Sequence, residues 1–163
     1  MIVGFTGHRP DKLGGWDPLH PVVARVRRAL RDELARNWPA YAVSGMALGF
    51  DTWAAETCVE LGIPFVAALP CDGMEQRWPL PSQDRFRALL GKAREIHVVS
   101  PGPYKHWKMQ RRNEWVVDHC TRLLAAFDGS PGGTYECLAY AAEARREVVH
   151  LPWRDDEHVS STV

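Results

Sequence analysis

The chain has 163 residues, 45% of them hydrophobic, close to the usual size of one domain and able to bury a full core without staples. Its 20 basic and 20 acidic residues cancel, so no net field steers it to a polyanion or an anionic membrane, and nucleic acid is disfavoured as a partner. The widely spaced Cys58, Cys71, Cys120 and Cys137 form no CxxC or Cys/His cluster, which argues against a zinc site or a disulfide framework and for reduced thiols. No apolar stretch approaches the roughly 18 residues needed to cross a bilayer, and MIVGFTGHRP has no basic region ahead of its apolar run. A cytoplasmic protein with no membrane partner is the expectation.

Short apolar, β-rich runs alternate with longer amphipathic segments, the pattern of parallel strands joined by crossover helices. The first strand is Ile2 to Thr6. After a loop with Pro10, Gly14, Gly15 and Pro18, the stretch Pro21 to Trp38 places Val22, Val23, Val26, Leu30 and Leu34 on one helical face. A strand at Tyr41 to Ser44 runs through a glycine-containing loop into a helix from about Asp51 to Leu61, which Gly62 stops. Pro64 to Leu69 reads as a strand, residues near Gln83 to Lys92 as a helix, and Glu95 to Val99 as a strand. A loop from Ser100 to Lys108 precedes a helix at about Gln110 to Cys120 and a strand at Leu123 to Phe127. A last helix reaches about Arg146, and Val148 to Leu151 closes the set. The pattern predicts an α/β fold, a Rossmann-like open and mainly parallel sheet with helices on both faces. Residues 1–153 form its single domain, and residues 154–163 a polar, frayed tail.

In such a sheet the loops after the strands share the carboxyl edge, where ligands bind at the switch in strand order. After the first strand come Thr6, Gly7, His8 and Arg9, whose last two side chains are suited to hold a phosphate or stack on a base. In Ser44-Gly45-Met46-Ala47-Leu48-Gly49-Phe50-Asp51 the glycines let backbone approach a ligand, and the following helix start offers N–H groups to an anion. Asp51 also reads as a helix N-cap. Neither a Walker A loop nor GxGxxG is present. Asp128, Gly129, Gly132, Gly133 and Thr134 make a second glycine-rich turn into a helix, with a merely flexible connection as the alternative. Trp78 offers a stacking surface, and Lys108, Arg111, Arg112 and Asn113 offer charge and hydrogen bonds, although packed tryptophans and solvated basic helix faces are commoner uses. Asp118 reads as structural, and Trp53, Trp107, Trp115 and Tyr140 as core or interface. The histidines show no metal-ligand spacing, so no metal site is expected, and magnesium would enter only with a phosphate ligand.

Taken in order, Thr6-Gly7-His8-Arg9-Pro10, Ser44 to Gly49 with Asp51, Glu75 with Trp78, Gln110-x-Arg112-Asn113 with Val117-Asp118, and Asp128-Gly129 with Gly132-Gly133-Thr134 resemble the SLOG superfamily. That group includes the LOG phosphoribohydrolases and the DNA-processing protein DprA, and the match is strongest to its YpsA-like branch. The resemblance implies a Rossmann-like fold and a site for a nucleotide or nucleotide derivative at the sheet edge, in a protein of stress or signalling role. LOG enzymes carry a PGGxGTxxE signature whose acidic residue assists cleavage between base and ribose. Pro131-Gly132-Gly133-Thr134-Tyr135-Glu136 lacks the inner glycine and brings Glu136 one residue closer to the threonine, a change that rotates a helical side chain by about 100°. A DprA-like role would need a basic groove with exposed aromatics, and no basic stripe is present.

Three functions compete. The preferred one is a binding or sensor module for an ADP-ribose- or NAD-like nucleotide, because no nucleophile, base and orienter form a unit. The second is an N-glycosidase or phosphoribohydrolase acting on a nucleoside monophosphate, with Glu75 or Glu136 as its carboxylate. The third is an interaction protein whose glycine loops are only turns. The sequence leaves open the base, the phosphate number, turnover, and whether the protein is a monomer or a homodimer.

Overall fold

A computed structural model describes residues 1–154. The elements in chain order are β1 (Ile2–Gly7), a 3-10 turn (Pro10–Lys12), α1 (Pro21–Arg36), β2 (Tyr41–Ser44), α2 (Phe50–Leu61) and β3 (Phe65–Leu69). They continue with α3 (Leu80–Leu90), β4 (Glu95–Val98), α4 (His106–Asp118), β5 (Arg122–Ala126), α5 (Gly133–Glu143) and β6 (Glu147–His150). The strands form one sheet in the order β4-β3-β2-β1-β5-β6, every neighbouring pair parallel.

Local chemistry sets most element ends. Proline opens α1, where its missing N–H removes nothing from the helix, and the His20 ring accepts the Val22 N–H at 3.1 Å. Gly62 closes α2 in the left-handed conformation, φ 76°. Two helices begin earlier than their periodicity suggests. α3 starts at Leu80, with Pro81 in its first turn, and α4 starts at His106, its first turn closed by the Lys108 N–H on the Lys105 carbonyl at 3.0 Å. The Pro101-Gly102-Pro103 break lies just upstream of α4 and makes that turn read as loop.

Two cores sandwich the sheet. On one face α1, α2 and α3 bury Val26, Leu30, Leu34, Phe50 and Phe86 against Val3, Phe5 and Phe65. On the other, α4 and α5 bury Val116, Val117, Cys137 and Ala141 against Val43, Val66 and Leu123. Alternation along the strands divides the residues between the faces, as in Phe65 against Val66. The four cysteines are buried and unpaired, and burial pushes the Cys58 thiol up to about 12 and Cys120 and Cys137 to about 11, far from thiolate chemistry.

No helix among the described residues is long and apolar enough to cross a membrane. Of the tail expected from residue 154 onward, all but Arg154 lies outside the described residues. Leu30→Ala, at a fully buried position, is expected to cost about 2–5 kcal/mol, while Leu19→Ala, at 85% exposure, changes stability by no more than about 0.5 kcal/mol. Urea unfolding of both variants checks the contrast.

Candidate ligand-binding crevice

The chain leaves β1 for β2 on one side and later returns to pair β5 on the other, with Gly4 opposite both Val43 and Leu123. Loops after β1 and β5 therefore run to opposite faces and leave a crevice between them. Gly7 ends β1 beneath the Phe50 ring, which a Cβ there would overlap. Gly49, at φ 89°, would carry a Cβ 2.7 Å from the His8 carbonyl oxygen and 2.9 Å from Arg9 Cα. The Phe50 N–H donates to the His8 carbonyl at 3.2 Å. The β1 and β2 loops thus lock backbone to backbone, and this contact, rather than approach to a ligand, is what requires glycine at 49.

A second lock joins the β1 and β5 loops. His8, 6% exposed, holds Nε2 2.7 Å from Asp128 Oδ1 and 3.1 Å from the Asp128 backbone nitrogen. The neutral ring accepts that N–H at Nε2; the protonated ring donates from the same atom to the carboxylate. Burial lowers the His8 pKa and Asp128 opposes it. Burial also pushes Asp128 up, but the Ser130 hydroxyl and N–H, at 2.5 and 2.8 Å, together with His8 hold it well below the usual carboxylate range. Lys12 Nζ donates to Ser130 Oγ at 2.8 Å across the same gap.

Between these loops lies a cavity of about 290 Å³. The β1 side contributes Thr6, Gly7, His8 and Arg9, followed by Asp11 and Lys12, and the β2 side contributes Ala47 and Asp51. From α4 and the residues before it come Tyr104, His106, Met109, Arg112 and Asn113. The start of α5, Gly132, Gly133 and Thr134, completes the wall. Nothing lies within 4 Å of where a Cβ would stand at Gly132 or Gly133, so the chain is uncrowded where the start of α5 meets the crevice.

The floor holds two buried charges. Arg112, 3% exposed, donates from Nη1 to the Gly45 carbonyl and from Nε to Asn113 Oδ1 at 2.9 Å, and Gly45 has no side chain because the guanidinium fills that place. Asp51, 8% exposed, accepts the Ala47 N–H at Oδ2, 3.4 Å, while Oδ1 has no hydrogen-bond partner among the described residues. Burial raises the Asp51 pKa to about 6, against the pull of Arg112, the Ala47 N–H and Arg9. Ser44 Oγ donates to the Asp51 carbonyl at 2.9 Å and accepts the Met46 N–H at 3.1 Å. Ser44 and the fully buried Met46, in the left-handed region at φ 61°, shape this loop and do not line the cavity.

Several residues singled out from the sequence lie off the cavity wall. Glu75 faces Arg87 at 3.9 Å and Trp78 packs edge-on against Phe86, ring centroids 5.3 Å apart. Glu136, Arg111 and Gly129 are exposed outside it, and Asp128 acts through His8. Lys108 is buried and gives its ammonium to the Pro101 and Pro103 carbonyls, at 3.0 and 2.8 Å, so it is not free to neutralise phosphate. Sequence reasoning missed Asp11, Lys12, Ala47, Tyr104, His106 and Met109 as wall residues. The spacing of His106, Met109 and Asn113 is a helical stripe, visible only once α4 is known to begin at His106. Among the described residues no group of three or more His, Cys, Asp or Glu is placed to hold a metal ion.

A parallel open sheet with its crevice at the strand-order switch defines a Rossmann-like α/β protein. The chain belongs to the YspA SLOG family, whose sequence profile matches residues 3–152. It is 32% identical over 129 residues to the uncharacterized SPbeta prophage-derived protein YoqJ of Bacillus subtilis, covering 69% of this chain and 74% of that one. Among solved structures it resembles DNA processing protein A from Helicobacter pylori, TM-score 0.69 at 18% identity, over 99% of this chain and 72% of that one. It also resembles the molybdenum cofactor carrier protein of Chlamydomonas reinhardtii, TM-score 0.55 at 15% identity, over 91% and 74%. These two likenesses are of fold. The Helicobacter structure concerns single-stranded DNA binding, so the expectation against nucleic acid draws no support from the relatives.

Two outcomes follow from the geometry. Gly49→Ala combines backbone strain with overlap on His8 and should cost about 2–4 kcal/mol, whereas Gly129→Ala, at φ 89° in open space, should cost about 1–2 kcal/mol; thermal unfolding separates them. Asp51 titrates higher in the fold than its ordinary 3.8, so folding favours its protonated form. That contribution is complete below about 3.8 and is lost as pH rises through about 6. The urea midpoint of the wild type relative to Asp51→Asn should therefore fall across that window.

Proposed function

We propose that the crevice binds a nucleotide or nucleotide derivative through its phosphate, and that the protein acts as a binding or sensor module. The observation that carries this reading is that the first residues of α5, with Gly132, Gly133 and Thr134, line the same cavity as Arg9, with open space around both glycines. A helix start and a guanidinium facing one space are complementary to a phosphate's oxygens and charge. Membership of the SLOG family supports a nucleotide-related ligand, as does the cofactor-carrying role named for the Chlamydomonas relative. At about 290 Å³ the cavity is at the lower end of the roughly 300–1,000 Å³ common for ligand sites. It suits one nucleotide unit, with the remainder of an NAD or ADP-ribose outside the mouth. A magnesium ion would enter with the phosphates.

Binding is favoured over turnover because Glu75 and Glu136, the carboxylates of the phosphoribohydrolase reading, are off the wall. One observation keeps hydrolysis as the second reading. Asp51 presents a carboxyl raised to about 6 with an unpartnered oxygen, the condition in which a carboxylate exchanges protons near neutral pH.

Native mass spectrometry after incubation with AMP, NAD, ADP-ribose and a short single-stranded oligonucleotide tests these readings. The expected result is an adduct at intact nucleotide mass that Arg9→Ala loses. Free base with ribose 5-phosphate, abolished by Asp51→Asn, would establish the hydrolase. Adducts with the oligonucleotide alone would turn the reading to nucleic acid, and no adduct with any of them would overturn it.

A further inference from the structure

The segment Pro101-Gly102-Pro103-Tyr104 ahead of α4 is braced more firmly than a connecting loop requires. Lys108, 5% exposed, reaches back from the first turn of α4 to the carbonyls on either side of Gly102, at 3.0 and 2.8 Å. Its ammonium also lies 5.7 Å from the centroid of the Trp107 ring. Among the described residues no carboxylate lies within 4.0 Å of it, so carbonyl dipoles, not a counter-charge, satisfy this buried cation. From the β3 loop, Asp72 accepts the Gly102 N–H at Oδ2, 2.7 Å, and donates its own N–H to the Gly102 carbonyl at 3.0 Å. Two prolines fix φ on both sides of the glycine.

What this bracing holds in place is Tyr104. The residue is 55% exposed, contributes to the cavity wall, and among the described residues stacks on no other ring. A large aromatic that is more than half exposed and stacks on no ring, carried by a braced loop on the wall of a cavity, is a surface for a planar group. The α5 amides and Arg9 form other parts of the same wall.

We propose that Tyr104 is the platform on which an aromatic base of the ligand stacks, and that Lys108 is the positioning residue that fixes the platform through the Pro101 and Pro103 carbonyls. This rests on the nucleotide reading of the crevice and adds the base to it: the ligand carries a planar heterocycle, which the phosphate contacts alone do not demand.

Calorimetric titration with AMP and ribose 5-phosphate, which differ by the base, tests the assignment. Wild type should bind AMP roughly tenfold or more tightly than ribose 5-phosphate. Tyr104→Ala should bring AMP down to the ribose 5-phosphate value, and Tyr104→Phe should restore the preference. Lys108→Met should weaken AMP severalfold while ribose 5-phosphate binds as before, a split that a merely structural lysine would not produce. Asp72→Ala, at an exposed position, loosens the same loop and should give the same split if Lys108→Met fails to fold. An unchanged AMP preference in Tyr104→Ala overturns the platform, and parallel loss of both ligands in the loop variants overturns the positioning role. Failure of wild type to bind either probe overturns the nucleotide reading beneath both.

Discussion

The backbone contact between Gly49 and His8 is the constraint on which the carboxyl edge depends. Because residue 49 has no side chain, the β2 loop lies directly on the β1 loop, and the Phe50 N–H closes onto the His8 carbonyl. That contact seats the Phe50 ring over Gly7 and starts α2 where Asp51 enters the crevice. It also holds His8 beneath Asp128, so the loop after β5 is positioned through the loop after β1. Loosening the contact would disturb the Asp51 side, the Arg9 side and the α5 mouth together.

The floor of the crevice illustrates a different balance. Asp51 and Arg112 are both buried and exert opposite pulls on each other, yet no direct ion pair joins them. Each leans on backbone instead, Arg112 on the Gly45 carbonyl and Asp51 on the Ala47 N–H. Desolvation therefore outweighs attraction at Asp51, and its carboxyl is raised rather than lowered. The outcome is a polar pocket with one acceptor oxygen unpartnered among the described residues, beside a helix start that favours anions. A ligand with both a hydroxyl or N–H and a phosphate satisfies the two together.

Glycine serves three purposes in this crevice, and the sequence does not distinguish them. Gly49 permits contact between loops, Gly45 makes room for the Arg112 guanidinium, and Gly132 and Gly133 keep the start of α5 uncrowded at the cavity wall. All four occupy glycine-rich turns that read alike as phosphate loops. Only the last pair stands open to the cavity, because what a missing Cβ makes room for depends on which chain segment lies opposite.

Periodicity and composition alone determined the α/β alternation, the parallel sheet, the buried stripe Val23, Val26, Leu30 and Leu34, and the crowding of unusual residues after strands. These are local properties, since burial on one or both faces imposes its period on each segment directly. Thr6 to Arg9, Asp51, Arg112, Asn113 and Gly132 to Thr134, singled out in the sequence because they fall in or after the segments that follow strands, line one cavity. The tertiary structure decided that Glu75, Trp78 and Glu136 stand apart from the cavity, that Lys108 holds a loop, and that Tyr104, His106 and Met109 line the wall. Those assignments depend on where β3, β4 and α4 fall relative to the β1–β5 switch, and on the direction each side chain leaves its helix. That is a matter of strand order and packing between segments distant in sequence, and no pattern within a single segment carries it.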